Sequence, residues 1–211
     1  MITIRTFIFN PIQTNTYVVH DDSRQCVIID PACSSTEEDK EILEYLKKNQ
    51  LEPVLLLFTH GHIDHIIGAG IISEQWKIWP HLHKNDKFLL DQAREYASML
   101  GFEYRPLPEK ILFFDEENSL SFGHSALKII HTPGHSPGSV CFYMESEQII
   151  FAGDTLFMNS VGRTDLPGGD SDLLAKSLRK LLMLPDETKV YCGHGTNTTI
   201  DRERRFNPFI N

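Results

Sequence analysis

Long hydrophobic runs are absent from this sequence of 211 residues. Each apolar stretch is much shorter than the roughly 18 residues that a membrane-spanning helix needs. The opening residues, MITIRTFIFNPIQ, contain Arg5, Asn10 and Gln13, which interrupt the stretch before the apolar core of a secretion signal could form. We therefore expect a cytoplasmic protein that does not enter a membrane.

Basic residues are scarce relative to acidic ones, and the formal net charge is -9 at pH 7. Nucleic-acid binding draws much of its affinity from Lys and Arg side chains that neutralise phosphates. We therefore expect no nucleic-acid partner. A small neutral or thiol-bearing substrate suits this composition better.

Cysteine is also rare, and the cysteines lie far apart in the chain without Cys-x-x-Cys spacing. This spacing indicates neither a redox pair nor a cysteine-based zinc site. Each is expected to be a small buried residue or a free thiol, at Cys26, Cys33, Cys141 and Cys192.

Patterned segments fill most of the chain and predict both strands and helices. Runs of β-branched and aromatic residues predict strands at residues 2–9, 16–20, 26–30, 53–58, 110–114, 126–131, 139–144, 148–153 and 189–192. Helical spacing and capping residues predict helices after Ser35 and over residues 64–75, 85–100 and 170–184. The order of elements predicts an α/β fold, with two mixed β-sheets packed face to face and helices outside. Its length favours a single domain over residues 1–211.

One short stretch, THGHIDHIIG at residues 59–68, concentrates metal-capable side chains directly after a predicted strand. His60 and His62 are two positions apart, so in extended backbone both rings project to the same side and can hold one metal ion. Asp64 and His65 follow at the start of the next predicted helix. Their position favours a second ion beside the first.

Three further metal-capable residues follow predicted strands or stand among Gly and Pro residues. They are His135 in HTPGHSPGS, Asp154 in IIFAGDTLF and His194 in VYCGHGT. Tight loops of this kind present a side chain without interference from its neighbours. We expect these loops to converge with the histidine-rich stretch.

With these motifs the sequence resembles the metallo-β-lactamase superfamily, and within it the glyoxalase II branch of hydroxyacylglutathione hydrolases and their shorter relatives. Further matches are NTY at residues 15–17, IIDPA at 28–32, GRTDLPGGD at 162–170 and ERRFNPF at 203–209. The resemblance implies a four-layer αββα sandwich. Full-length glyoxalase II continues with a helical glutathione-binding domain, which we do not expect in the short stretch after His194.

The resemblance also implies a role for each metal-capable residue. One ion would be held by His60, His62 and His135, a second by Asp64, His65 and His194, and both by Asp154. It further implies that Asp30 orders the histidine loop, although a simple turn before Pro31 is an equal alternative. Arg163 matches a basic substrate contact, and pairing with Asp165 or Asp170 is the alternative.

The ligand types indicate the chemistry. Imidazole and carboxylate ligands suit zinc, the expected metal, as well as iron or manganese. Two cations that share one water lower the pKa of that water from about 15.7 towards about 7. The candidate catalytic residues are Asp64 and Asp154. A thiolate departs without a proton donor because its conjugate acid has a pKa of about 8.5, so we expect hydrolysis of a small-molecule thioester.

Other functions remain compatible with the same motifs. A persulfide dioxygenase with one iron ion is the first alternative, and a lactonase is the second. A binding module stabilised by fully coordinated metal ions is the non-enzymatic alternative.

Overall fold

The computed structural model describes residues 1–114 and 119–210. Its strands, in chain order, are β1 (Thr3–Phe9), β2 (Thr14–His20), β3 (Gln25–Ile29), β4 (Glu52–Leu57), β5 (Pro80–His83), β6 (Leu112–Phe114), β7 (Ser119–Phe122), β8 (Ser125–His131), β9 (Val140–Met144), β10 (Ile149–Gly153), β11 (Leu156–Phe157), β12 (Ser160–Val161), β13 (Lys189–Cys192) and β14 (Thr198–Thr199).

Helices connect or follow these strands. They are α1 (Thr36–Lys48), α2 (Ile63–Ile66), α3 (Ala69–Trp76), α4 (Lys87–Asp91), α5 (Ala93–Met99), α6 (Ser171–Leu181) and α7 (Ile200–Phe206), with 3-10 turns at Lys84–Asp86 and Glu145–Glu147.

The strands form two six-stranded sheets and a small β11-β12 ribbon. The first sheet has the order β1-β2-β3-β4-β5-β6, antiparallel from β1 to β3 and parallel from β3 to β6. The second has the order β14-β13-β10-β9-β8-β7, in which β10 and β13 are parallel. Both sheets are therefore mixed, as the sequence predicts.

Three apolar clusters define the layers. The cluster between the sheets combines Tyr17 and Ile29 of the first sheet with Phe142 and Phe151 of the second. A second cluster packs α1, α2, α3 and α5 on the outer face of the first sheet. The third packs α6 and the start of α7 on the outer face of the second. The fold is thus the expected four-layer αββα sandwich.

Helix ends follow their local sequence. Ser35 caps α1 by accepting a hydrogen bond from the backbone N–H of Glu38, and Asp170 caps α6 by accepting from Asp172 and Leu173. Basic side chains stand in the last turn of both helices, where they complement the helix dipole. Both capped helices confirm the prediction.

Two predicted helices are wrong in extent. The helix expected over residues 64–75 is broken into α2 and α3 at Gly68, whose N–H donates to the carbonyl of Pro31 at 2.8 Å. A Cβ at Gly68 would lie 2.2 Å from Sγ of Cys33, so this turn packs too closely for a side chain. The helix expected over residues 85–100 is interrupted at Gln92, where φ is -96 and ψ is -1.

The prediction also missed short elements: β5, β7, β11, β12, β14 and α7. Strands of two to four residues are too short for an alternating pattern to be recognised. Within the described residues, no helix has both the length and the apolar character needed to cross a membrane.

The four cysteines are buried and free in the described part of the chain. Burial raises the pKa of Cys26 and Cys192 to about 12 and that of Cys141 to about 11, and it also raises the pKa of Cys33. Both outcomes expected for these residues, burial and a free thiol, are confirmed.

Replacing Phe142 by Ala should lower the free energy of unfolding by about 3–5 kcal/mol, because it leaves a cavity between the sheets. Phe142 is fully buried there. Chemical denaturation measures the change. Phe209→Ala is the control, since Phe209 is 63% exposed and should cost less than about 0.5 kcal/mol. Equal costs for the two variants would contradict the assigned core.

Candidate metal centre

Five strand ends meet at one edge of the sandwich and carry all of the predicted metal-capable residues. Asp30 follows β3, the segment from His60 to His65 follows β4, and the second sheet contributes loops after β8, β10 and β13. β3 is paired in parallel with β4, and β10 is paired in parallel with β13. Because parallel strands end at the same edge of a sheet, the loops that follow these strands lie close together. The predicted convergence of loops is what the structure shows.

The residues meet in three overlapping groups of three, and in each group the ligand atoms lie within 4.8 Å of one another. One of them joins Asp30 to His60 and His65, and the other two contain six of the seven predicted metal ligands. His60, His62 and His135 form the first group, in which Nδ1 of His62 lies 2.9 Å from Nε2 of His135. The second group consists of Asp64, His65 and His194. There, Oδ2 of Asp64 lies 3.3 Å from Nε2 of His65 and 3.3 Å from Nε2 of His194.

Asp154 lies between the two groups. Its Oδ1 is 3.4 Å from Nε2 of His65, and its Oδ2 is 3.5 Å from Nε2 of His194. On the other side, Oδ2 is 3.6 Å from Nε2 of His135. One carboxylate therefore contacts members of both groups.

Asp30 organises two of the histidines through hydrogen bonds. It accepts from the backbone N–H of Thr59 at 2.7 Å, from the Thr59 hydroxyl at 2.6 Å and from Nδ1 of His65 at 2.9 Å. The Thr59 hydroxyl donates to Asp30, so it accepts from Nδ1 of His60 at 3.0 Å. The Nε2 atoms of both rings are thereby left unprotonated towards the centre when the rings are neutral.

The donor set fits metal ions. Within residues 1–114 and 119–210, two buried atoms of the centre have no hydrogen-bond partner: Nε2 of His60 and Oδ1 of Asp154. An unpaired buried polar atom costs about 1–3 kcal/mol. Coordination to a cation would satisfy both atoms, since a neutral imidazole nitrogen and a carboxylate oxygen are ordinary metal ligands.

Two glycines allow the loops to approach. Gly153 has a φ of +48 and lies so close to the segment after β4 that a Cβ would stand 2.4 Å from Oγ1 of Thr59. A Cβ at Gly193 would stand 2.1 Å from Oδ1 of Asp154. Any larger residue at either position would push the two sheets or their loops apart.

The electrostatics of the two groups differ. Burial, followed by the charge of neighbouring histidines, lowers the pKa of His60 well below its usual range and that of His62 to about 4. Burial opposes protonation of His65 too, but Asp64, Asp154 and Asp30 outweigh it and raise the pKa of His65 to about 10. Without a metal ion, His60 and His62 are therefore neutral at pH 7, whereas His65 carries a proton.

A cavity of about 640 Å³ opens over the centre. Its floor includes His62, Asp64, His135, Asp154 and His194. Much of its wall is apolar, formed by Ile12, Ile63, Tyr96, Leu100, Phe157, Met158, Val161 and Leu166. The centre is therefore accessible to a small molecule with apolar parts.

Arg163 also lines this cavity, but its guanidinium is paired. Its Nε and Nη2 donate to Asp165 at 2.7 and 2.6 Å, which holds the pKa of Asp165 down to about 2. Asp170 instead caps α6. Of the two pairings that the sequence offered for Arg163, the structure forms the one with Asp165. The backbone carbonyl of Arg163 accepts from Nδ1 of His135 at 2.8 Å.

Sequence reasoning missed several residues that support the centre. Thr14 donates to Oδ2 of Asp64 at 3.0 Å, and the Asn10 side chain donates to the backbone carbonyl of Asp64 at 3.0 Å. The Asn15 side chain donates to the carbonyls of Cys192 and Gly195, on either side of His194. Only Asn15 had a signal, because it belongs to the NTY match.

The family of the chain follows from a model of the metallo-beta-lactamase superfamily, which matches residues 9–194. This range contains both groups of metal-capable residues and most of the αββα sandwich, from β2 to β13. The chain belongs to the metallo-β-lactamase superfamily.

Particular relatives are similar over nearly their whole length. Hydroxyacylglutathione hydrolase GloC of Haemophilus influenzae is 36% identical over 205 residues, which are 94% of this chain and 93% of that protein. The crystal structure of BLEG-1, a B3 metallo-beta-lactamase, matches with a TM-score of 0.88 and 37% identity, covering 99% and 100% of the two chains. TTHA1623 in a di-iron-bound form matches with a TM-score of 0.88 and 37% identity, covering 98% and 99%.

Loading the metal-free protein with zinc at about pH 8 should release protons, and zinc affinity should rise with pH up to about 10. The reason is that His65, with its pKa raised to about 10, must lose a proton before Nε2 can bind, whereas His60 and His62 are already neutral. Calorimetric titration in buffers with different ionisation enthalpies counts the protons.

The matched control is His65→Asn, which should release fewer protons on zinc binding than the wild type. Zinc affinity that is independent of pH between about 7 and 9 would contradict the raised pKa of His65.

Proposed function

We propose that the protein is a metal-dependent hydrolase that cleaves thioesters and holds two divalent metal ions. The observation that carries this proposal is the pair of three-residue groups with Asp154 in contact with both. A closed structural site would use four ligands for one ion, whereas seven ligands for two ions leave positions for water and substrate. We propose zinc as the first candidate for the metal. Iron is the alternative, because the similar structure of TTHA1623 is in a di-iron-bound form.

The proposed ligand roles follow the grouping. His60, His62 and His135 hold one ion, Asp64, His65 and His194 hold the other, and Asp154 holds both. When bound, the ions would supply Lewis acidity and lower the pKa of water at the centre towards neutrality. Asp30 and Thr59 keep two of the imidazole rings in the tautomer that directs Nε2 inward.

The state of Asp64 favours a leaving group that needs no proton. Although burial opposes the shift, His65 and His194 hold the pKa of Asp64 below its usual range, so Asp64 is a poor acid at neutral pH. A thiolate departs without protonation, whereas an alkoxide or amide nitrogen requires a proton donor. The candidate catalytic role of Asp64 and Asp154 is therefore to supply negative charge at the centre and to keep the groups of the centre in position.

The surroundings of the centre describe the proposed substrate. The apolar wall suits an uncharged acyl or thiol group, and Arg163 is already neutralised by Asp165. We propose that residues 1–211 act as one domain. The name of the GloC relative supports a thioester substrate, and a glutathione thioester belongs in the assay for that reason.

The zinc-loaded protein should hydrolyse a thioester with a kcat/KM about 100-fold above that for the oxygen ester of the same acyl group. General-acid assistance, which an alkoxide needs and a thiolate does not, is worth about 10²–10⁴-fold. Release of thiol and of alcohol is measured in parallel on matched pairs of short esters and on S-lactoylglutathione.

Equal or faster turnover of the oxygen esters would contradict thioester hydrolysis. Oxygen consumption with glutathione persulfide would identify a dioxygenase instead, and preferred turnover of lactones would identify a lactonase. Two tightly bound ions with no exchangeable water and no turnover would identify a binding module.

A second candidate function is hydrolysis of β-lactams, because BLEG-1 is a B3 metallo-beta-lactamase and is 37% identical over nearly the whole chain. A chromogenic cephalosporin in the same assay tests it. Turnover of the cephalosporin above that of every thioester would favour this function.

Replacing Asp154 by Ala should reduce the content of both ions, because the carboxylate contacts both groups. His60→Ala is the matched variant and should reduce chiefly one ion, since His60 belongs to the three-histidine group. Metal analysis by mass spectrometry after dialysis counts the ions per chain. Loss of one ion only from Asp154→Ala would contradict the shared role.

A further inference from the structure

Asp86 is a fully buried carboxylate outside both groups of metal-capable residues. It ends the 3-10 turn that follows β5. A buried carboxylate is retained only where hydrogen bonds compensate its lost hydration. Oδ2 accepts from the backbone N–H of Gly61 at 2.9 Å and from the Ser136 hydroxyl at 2.7 Å, while Oδ1 accepts from the backbone N–H of Gly138 at 2.5 Å.

These three donors belong to the two loops that carry the three-histidine group. Gly61 stands between His60 and His62 after β4 of the first sheet. Ser136 and Gly138 follow His135 in the loop between β8 and β9 of the second sheet. One side chain therefore links the two sheets beside the group to which both contribute.

The contact between Asp86 and these loops is too close for a side chain at Gly138 and tight at Gly61. A Cβ at Gly138 would lie 2.6 Å from Cγ of Asp86, and a Cβ at Gly61 would lie 3.1 Å from the backbone oxygen of Asp86. The Ser136 hydroxyl is fixed in turn by Ser139, whose Oγ lies 2.7 Å away. The geometry thus leaves the two loops little freedom to slide against each other.

We propose that Asp86 is a positioning residue that sets the separation of the two loops, so that His60, His62 and His135 converge on one metal ion. This inference rests on the proposed metal-binding function. Asp86 acts through backbone N–H groups and a serine hydroxyl, whereas Asp30 acts on a ligand ring directly. Hydrogen bonds to a carboxylate are about twice as strong as neutral ones, which suits this purpose.

Asp86→Asn tests the role because it preserves the shape of the side chain and removes one acceptor. An amide NH₂ must then face a backbone N–H, either that of Gly61 or that of Gly138. Zinc binding is measured by competition with a chromophoric chelator. We expect one of the two zinc ions to bind about 10–100-fold more weakly and the other to keep its affinity.

Asp21→Asn is the matched control. Asp21 is also a buried carboxylate that joins two segments, accepting from the backbone N–H of Ser23 and of His124 and from the Ser125 hydroxyl. It follows β2 at the opposite edge of the sheets. Its replacement should lower the melting temperature of the metal-free protein and leave both zinc affinities unchanged.

Unchanged zinc affinities in Asp86→Asn would overturn the inference, as would equal weakening in Asp21→Asn. If Asp86→Asn does not fold, Ser136→Ala replaces it, because this variant removes a single donor. Weaker binding of one zinc ion by Ser136→Ala supports the inference, and wild-type affinity overturns it.

The proposed function can be refuted independently of the positioning role of Asp86. A wild-type protein that binds two zinc ions but hydrolyses no thioester would refute the proposed reaction and leave the positioning role of Asp86 standing. A wild-type protein that binds no zinc would overturn both.

Discussion

Apolar contact between the two sheets sets the distance between the two halves of the centre. His60, His62, Asp64 and His65 follow β4 of the first sheet, whereas His135, Asp154 and His194 follow strands of the second. Neither half contains the whole of the three-histidine group or of the group of Asp64, His65 and His194, so the convergence of these residues depends on the core formed by residues such as Tyr17 and Phe151. Since protein interiors are close-packed, a change of one methylene group in this core would be felt at the sheet ends.

The metal-free centre is an unfavourable arrangement that the fold enforces. Several imidazoles and two carboxylates share a buried space, the pKa of His62 falls to about 4, and that of His65 rises to about 10. Hydrogen bonds that Asp30 accepts and that Thr14 donates, together with the contact of the Thr59 hydroxyl, hold these rings and carboxylates in place. Cations would replace the mismatched protons and give a partner to the nitrogen of His60 that has none within the described residues.

The sequence predicts much of the fold and the residues of the centre, and the failures have physical causes. β13 matches its predicted residues, and α1 and α6 begin at their predicted caps, because long patterned segments and capping residues act locally. The break at Gly68 depends on contact with Cys33, which lies far away in sequence. Thr59 acts together with the side chain of Asp30, and Asp86 acts through groups of the loops that carry Gly61 and Ser136. These partners lie far away in sequence, so no local pattern distinguishes Thr59 or Asp86.

Burial of the cysteines has a consequence for a protein proposed to handle activated acyl groups. Cys192 lies two residues before His194, and burial raises its pKa to about 12. Since only the thiolate attacks a thioester, transfer of the acyl group onto the protein itself is suppressed at neutral pH. The chain thus has a cysteine close in sequence to its candidate centre whose thiol is protected from acylation by the substrate.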